Sequence, residues 1–290
     1  MNVLKSVAAV GLASALASPA VLADPIQNWD WALFSGWTSW TGDDVEASGG
    51  FDVDPTTAAV DQAFDTLSWS IDDEDSSLTI DNPTLATPGS DFAGVAGSVG
   101  EAFFLQDDGT GLFTHTVNGS LLLHDNNIIP AATDELESAV LTDWFSLQSA
   151  GFGLPPITSA FNIQFEETLN QADPEDCSAG QVLGGSTPCE DIFVLLNPND
   201  LMFSFAPGDG YLYTLEVGAL GLGPLNDDQC AAAGVAAGCI GLVTQEDTLN
   251  SAQFQLTLSA RLIPAPAALA LMGIGLLGLG YSRRRSARRS

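Results

Sequence analysis

An alternation of apolar and polar residues with a period of two constrains the fold of this chain more than any other feature. It is clearest near the C-terminal end, where Phe254, Leu256, Leu258 and Ala260 are apolar and the residues between them are Gln, Thr and Ser. Successive side chains of a β-strand point to opposite faces, so the pattern predicts a strand with one buried face. No segment between residues 24 and 262 shows a convincing helical period. The alternation therefore predicts an all-β protein.

Similar strand patterns recur along the chain and are separated by Pro and Gly. They occupy residues 66–80, 112–124, 139–147, 161–166, 192–196, 201–205 and 211–217. The run 192–196 is apolar throughout, which predicts burial on both faces. Asn118-Gly119 lies between two apolar runs and predicts a hairpin turn. Eight to twelve short strands with long acidic loops predict a single β-sandwich or jelly-roll domain over residues 24–262, which we call the body.

The body is strongly acidic. It contains all 37 Asp and Glu residues but only Arg261 as a basic residue, so its net charge is about −36. Nucleic acid is excluded as a partner because binding requires Lys and Arg against the phosphates. The absence of lysine from the body also excludes Schiff-base chemistry and a Walker-type phosphate loop. Two explanations of the acid excess stay open, a solvated surface suited to salty water and the binding of divalent cations such as Ca²⁺.

One acidic turn is a candidate calcium site. Asp72, Asp73 and Asp75 lie between the two strand patterns of residues 66–80. Carboxylate oxygens are the ligands that Ca²⁺ prefers, although the spacing of an EF-hand loop is missing. No other cofactor is expected.

The four cysteines of the chain indicate disulfides. They are Cys177, Cys189, Cys230 and Cys239. Pairing of nearest neighbours, Cys177 with Cys189 and Cys230 with Cys239, closes two short loops and is the expected connectivity among the three that four cysteines allow. A zinc site is the alternative, although these spacings are wider than Cys-x-x-Cys.

Four tryptophans crowd the start of the body, at positions 29, 31, 37 and 40. We expect them to fill the core from one or two strands. The alternative is a platform on which sugar rings stack, which would make the body a polysaccharide-binding module.

The N-terminal 23 residues have the pattern of a secretory signal peptide. Lys5 precedes a short apolar run, and small residues follow up to Ala23. This arrangement predicts export by the Sec machinery, with cleavage after Ala23.

The C-terminal segment, residues 263–290, has three parts. Pro264, Ala265 and Pro266 precede an apolar run rich in Gly and Leu, and an arginine cluster that begins with Arg283, Arg284 and Arg285 ends the chain. The uncharged span of about 20 residues predicts a transmembrane helix, and the arginines are expected to stay on the cytoplasmic side.

This tripartite order resembles the PEP-CTERM sorting signals of Gram-negative bacteria, with Ala265 in place of the usual glutamate. The resemblance implies that an exosortase-type membrane enzyme removes the tail. It also implies a transient stay in the inner membrane and a final location at the cell surface or in the extracellular matrix. A plain membrane anchor is the alternative.

The body resembles the THxN family of PEP-CTERM proteins. The landmarks are, in chain order, Leu67-Ser68-Trp69-Ser70, Ser76-Ser77-Leu78, Leu123-His124-Asp125-Asn126, Cys189-Glu190-Asp191-Ile192-Phe193, Tyr211–Tyr213, Cys239-Ile240-Gly241 and Thr244-Gln245-Glu246. His124, Asp125 and Asn126 match the naming motif, with leucine in place of its threonine. Thr114-His115 is an alternative placement, but Val117 stands where the motif has Asn. The resemblance implies no activity and no catalytic role for His124.

These observations predict an exported surface or matrix protein without catalytic activity. A polysaccharide- or calcium-binding module is the first alternative. An extracellular hydrolase is the second, since paired carboxylates can cleave glycosides.

Overall fold

The computed structural model describes residues 24–52, 62–71, 74–83, 102–127, 136–149, 151–154, 157–168, 189–198 and 201–263. The predicted signal peptide, the C-terminal segment from residue 264 onward and Cys177 lie outside this part of the chain. Within it, no helix is long and apolar enough to cross a membrane.

The described residues form an all-β fold with one short helix. The strands are β1 (Asn28–Gly42), β2 (Glu46–Ser48), β3 (Phe51–Asp52), β4 (Gln62–Ala63), β5 (Thr66–Ile71), β6 (Glu74–Asp81), β7 (Phe103–Phe104), β8 (Gln106–Asp107), β9 (Leu112–Asn126), β10 (Leu136–Ser149), β11 (Phe152–Gly153), β12 (Ile157–Glu166), β13 (Asp191–Leu195), β14 (Met202–Phe205), β15 (Tyr211–Ala219), β16 (Gly223–Pro224), β17 (Ile240–Thr244) and β18 (Thr248–Leu262). The helix α1 spans Asp227–Ala232.

The strands assemble into two large antiparallel sheets. Sheet I has the order β16-β17-β13-β12-β10-β1-β7, and β11 pairs with β10. Sheet II has the order β14-β15-β18-β9-β6-β5-β2, and β8 pairs with β9. The long strands β1, β9, β10 and β18 have 14 or 15 residues and form the middle of the sheets. The prediction of short strands was therefore wrong for the central ones.

The two sheets share a core along their inner faces. At one end, Trp37, Leu141 and Phe161 of sheet I belong to the same buried cluster as Leu67 and Phe254 of sheet II. At the other end, tryptophans of β1 pack with tyrosines of β15 and leucines of β18. Burial follows the period-two pattern in β18, where Ala252, Phe254, Leu256, Leu258 and Ala260 are all buried.

Strand β13 is buried on both faces, which confirms the prediction for residues 192–195. The prediction was wrong for Leu196, which follows the strand and is 50% exposed. Its inner face contributes Phe193 to the core between the sheets. Its outer face, with Ile192 and Val194, is covered by Cys230 and Cys239. These cysteines are bonded to each other, which confirms the second predicted disulfide.

Helix α1 carries Cys230 and was not predicted. Its six residues are too few for a visible helical period, but Asn226 and Gln229 form a capping box at its start. Asn three residues before Gln is a sequence signal of a helix N-terminus, and it could have located this helix.

The predicted hairpin at Asn118-Gly119 was wrong, because β9 runs through both residues. The pairing of β9 with β18 shifts at this point, between Gln253 and Gln255. A Cβ atom on Gly119 would lie 2.9 Å from Leu33 Cδ2, so the glycine permits close approach of sheet I rather than a turn. Glycine inside a strand is typical of such bulges and close contacts.

Candidate functional site

The motif residues of β9 alternate between the interior and the surface. His124 and Asn126 are buried, and Asp125 between them is exposed. His124 lies at the middle of an aromatic cage. Its ring is stacked on Trp69 at a centroid distance of 5.9 Å, and Phe165 and Phe193 meet it edge-on at 5.8 and 5.1 Å.

The surroundings of His124 keep its ring neutral. Nδ1 lies 3.0 Å from the Thr244 hydroxyl of β17, and Nε2 has no hydrogen-bond partner. Burial lowers the pKa of His124 to about 3, because the charged form loses its hydration. A neutral ring enclosed in this way positions strands, and it is a poor proton-transfer group at neutral pH.

Asn126 connects β9 to the loop after β17. Its Nδ2 donates to the Gln245 carbonyl at 3.2 Å, and Asn250 Nδ2 donates to the same oxygen at 2.8 Å. The Asn126 Oδ1 atom is buried and has no hydrogen-bond partner. An unsatisfied buried acceptor is costly, so this amide oxygen is an unusual feature of the fold.

Three carboxylates meet at the neighbouring ends of β12, β13 and β17. Glu167 follows β12, Asp191 begins β13 and Glu246 follows β17, and one oxygen of each lies within 4.8 Å of the other two. Asp191 and Glu246 are buried, with 0% and 4% of their surface exposed, and Glu167 is half-buried. We call these three residues the carboxylate triad.

The surroundings of the triad fix its geometry. The Thr168 backbone N–H donates to Asp191 Oδ1 at 3.0 Å, and the Thr168 hydroxyl donates to the Glu190 carbonyl at 3.1 Å. Trp69 Nε1 donates to Glu167 Oε2 at 3.4 Å. The triad therefore sits on adjacent strands of sheet I and is braced by a tryptophan of sheet II.

The triad is electrostatically unfavourable by itself. Burial raises the pKa of Asp191 well above its ordinary value, and repulsion from Glu167 and Glu246 raises it further. Two carboxylates at this spacing repel by about 3 kcal/mol at an effective dielectric constant of about 20. The arrangement must take up protons or a cation to be stable, and its all-oxygen donor set suits a hard divalent ion.

A second buried acid, Asp143, lies apart from the triad on β10. It is fully enclosed, and burial raises its pKa to about 7, while a hydrogen bond from Ser35 opposes the shift. Ser35 Oγ is also 2.8 Å from Ser120 Oγ, which donates to Asn82 Oδ1 at 3.1 Å.

Asp143 lines a cavity of about 320 Å³. Ser159, its cross-strand neighbour on β12, lines the same cavity. Asp143 Oδ1 and Ser159 Oγ have no hydrogen-bond partner. Apolar side chains including Leu33, Phe145 and Leu256 form much of the remaining wall.

The calcium ligands predicted from the sequence, Asp72, Asp73 and Asp75, are not members of the carboxylate triad. Asp75 is an exposed residue of β6, and Asp72 and Asp73 lie outside the described residues. The processing residues Ala23, Pro264–Pro266 and Arg283–Arg285 also lie outside them, as does Cys177. Cys189 is disulfide-bonded.

The tryptophans predicted for the core lie there. Trp29, Trp31 and Trp37 are at most 1% exposed, so their rings offer no face to a sugar. Trp40 is half-buried and packs edge-on against Phe64.

The structure brings several landmarks of the family resemblance to one place. Trp69, His124, Asp191, Thr244 and Glu246 come from four strands or their ends and surround one buried polar centre. Glu167 was missed. Its signal was its parity, because residue 167 continues the inward series of 161, 163 and 165 in β12.

No known family model and no curated protein matches the chain.

Proposed function

We propose that the chain is an exported cell-surface or extracellular-matrix protein that acts without catalysis. The observation that carries the proposal is the buried Cys230–Cys239 disulfide, because disulfides form and persist in oxidising compartments. The signal-peptide pattern of residues 1–23 supports the same route. The finer fold proposal is a single β-sandwich made by sheets I and II.

The C-terminal segment supports processing by an exosortase-type enzyme. The Pro264-Ala265-Pro266 motif, the apolar run and the arginines resemble a PEP-CTERM sorting signal in their order. The proposed sequence of events is export by the Sec machinery, retention in the inner membrane through the C-terminal helix, and release to the surface after cleavage near the proline motif.

The carboxylate triad, a close group of acids among the described residues, does not favour a hydrolytic role. Asp191 and Glu246 are buried, whereas a glycosidase must present its two carboxylates to a sugar in an open cleft. Asp143 is also enclosed, and its partner groups are hydroxyls rather than a second acid.

Intact-mass measurement on protein recovered from the native cell surface tests this function. We expect a chain that begins at Asp24, ends near Pro264 and gains about four mass units on reduction, two for each disulfide. A matched variant with Pro264→Ala and Pro266→Ala should keep the tail and stay in the membrane fraction. A wild-type chain that keeps residues 283–290 would contradict processing and leave the plain anchor.

A further inference from the structure

We propose that Glu167, Asp191 and Glu246 form a binding site for one calcium ion. The three carboxylates lie at the ends of adjacent strands of sheet I, and one oxygen of each lies within 4.8 Å of the others. Two oxygens that share a Ca²⁺ ion at 2.3–2.6 Å lie at most about 5 Å apart. The spacing of the triad is therefore compatible with a common ion.

A buried oxygen without a partner points to the same place. Asp191 is fully buried, and its Oδ1 atom accepts the Thr168 N–H, but no fixed donor reaches its Oδ2 atom. Its carboxyl also contacts that of Glu246, and the two can bond only by sharing a proton. An ionised oxygen in this position needs compensation by a proton or a cation. The unpartnered Oδ1 of Asn126, held beside Gln245, is a further buried acceptor in this region.

The part of the chain that the structure describes contains almost no basic side chains. Among the described residues the one Lys or Arg side chain is Arg261, in β18. Arg261 is 13 residues from Thr248, the β18 residue nearest to Glu246 in sequence, which corresponds to roughly 40 Å along an extended strand. The positive charge that the triad needs therefore comes from protons or from a bound cation, and the calcium titration below distinguishes the two.

The donor set selects calcium. Within the described residues, no His or Cys joins the triad, and zinc prefers nitrogen and sulfur ligands. Magnesium requires a tighter octahedron at about 2.0–2.1 Å and keeps several waters. Three carboxylates offer up to six oxygens, which is the lower end of the coordination number of calcium. Glu167 is half-buried, so it provides the route of entry from solvent.

Calcium titration of the full chain, purified from an exporting host with its disulfides oxidised, tests the proposal. The titration is made by calorimetry in about 1 M NaCl, where a Debye length of about 3 Å suppresses binding to scattered surface acids. We expect one ion per chain with a Kd on the order of 10⁻⁴ M, as in extracellular calcium modules. A hundredfold excess of calcium over Kd should raise Tm by roughly 5–10 °C.

Two variants of the triad and one matched variant locate the site. Asp191→Asn and Glu246→Gln should each lose the calcium-dependent rise in Tm, and each should be more stable than the wild type in chelator, because repulsion is relieved. Asp143→Asn removes an equally buried acid outside the triad and should keep the rise. If a buried variant does not fold, Glu167→Gln at the half-buried position replaces it.

A luminescent probe provides an independent measurement. Terbium, a calcium substitute, should be sensitised by Trp69, whose Nε1 is 3.4 Å from Glu167 Oε2. Trp69→Phe should lower the emission severalfold, because it removes the nearest sensitising ring.

Each result of these experiments either supports the calcium site or overturns it. A saturable step that Asp191→Asn removes and Asp143→Asn keeps supports the site. No saturable step in the wild type, an undiminished step in the triad variants or unchanged terbium emission in Trp69→Phe would overturn it. The site does not depend on the proposed export, because cleavage of the tail is read from mass and calcium binding from Tm.

Discussion

Asp143 and the carboxylate triad show two ways in which an acidic protein buries acids. Asp143 is alone between the sheets, where Ser35 donates to it, and one proton is enough to neutralise it. Asp191 is equally buried but shares its surroundings with Glu167 and Glu246. A single buried acid titrates as one group, whereas clustered acids repel one another and titrate together. The comparison teaches that the number of neighbouring acids, and not burial alone, decides whether a proton suffices.

The largest expected effect is a change in the pH dependence of the unfolding free energy when Asp143 loses its ionisable group. Its folded-state pKa of about 7 exceeds the ordinary value of 3.8. As pH rises between these values the unfolded chain loses the proton and the folded chain keeps it, so the wild type loses stability. Asp143→Asn should gain about 4 kcal/mol relative to the wild type between about pH 4 and about pH 8.

Chemical denaturation of the wild type and of Asp143→Asn, at about pH 4 and about pH 8, measures this gain in unfolding free energy. Asp125→Asn, at an exposed position of β9, is the matched control and should not reproduce it. A difference between Asp143→Asn and the wild type that stays constant with pH would contradict a single buried titrating acid.

The next largest effect is the loss of unfolding free energy when the disulfide behind β13 is removed. Cys230→Ala with Cys239→Ala opens the loop behind β13, the strand that begins with Asp191. A closed loop of this length accounts for about 3 kcal/mol of the free energy of unfolding, and the double variant should lose that amount in urea denaturation. The pH-dependent gain from Asp143→Asn should be unchanged in this background, and a change would mean that the two regions are coupled.

A smaller effect concerns the polar contact of His124 near the triad. Thr244→Val removes the hydroxyl 3.0 Å from Nδ1 and leaves a buried ring nitrogen without a partner. The variant should lose about 2 kcal/mol of unfolding free energy. Thr257→Val is the control, because its hydroxyl pairs with Thr116 at the exposed surface and should matter little. Equal losses in the two variants would show that burial of His124 adds nothing.

The smallest effect concerns the hydroxyl beside Asp143. Ser35→Ala should cost about 1 kcal/mol at low pH, when a hydrogen bond to Ser120 is lost. The hydrogen bond from Ser35 opposes the raised pKa of Asp143, so its loss should raise that pKa further and extend the decline in stability to higher pH, while the decline still begins near the ordinary pKa of Asp. Ser204→Ala, in an exposed hydroxyl pair with Thr214, serves as the comparison. A decline at an unchanged pH would show that Ser35 does not act on Asp143.

The strands were predictable because their evidence is local. The alternation in β12, β15 and β18 is visible in the residues themselves, and each strand was found where the period of two indicated it. The hairpin at Asn118-Gly119 failed because the same dipeptide serves a turn and a bulge, and only Leu33 of the opposite sheet distinguishes them.

Part of the site was also visible in the sequence. Asp143 has the parity of Leu141 and Phe145 in β10, and Glu167 has the parity of Phe165 in β12. An acid at an inward position of an apolar series is a signal of a buried carboxylate, and this rule applied to the strands would have selected both residues. It would not have shown that Glu167 has two acidic neighbours, whereas none of the described acids joins Asp143 in such a cluster.

The sequence by itself determined the all-β class, the inward faces of the main strands and the acidic composition of the body, because each depends on composition or on neighbours within a few residues. Only the tertiary structure decided which acids meet. Residues 167, 191 and 246 are brought together by the order β17-β13-β12 in sheet I. That order arises from pairing between distant segments and from the packing of sheet II against them, and a period of two carries no information about either.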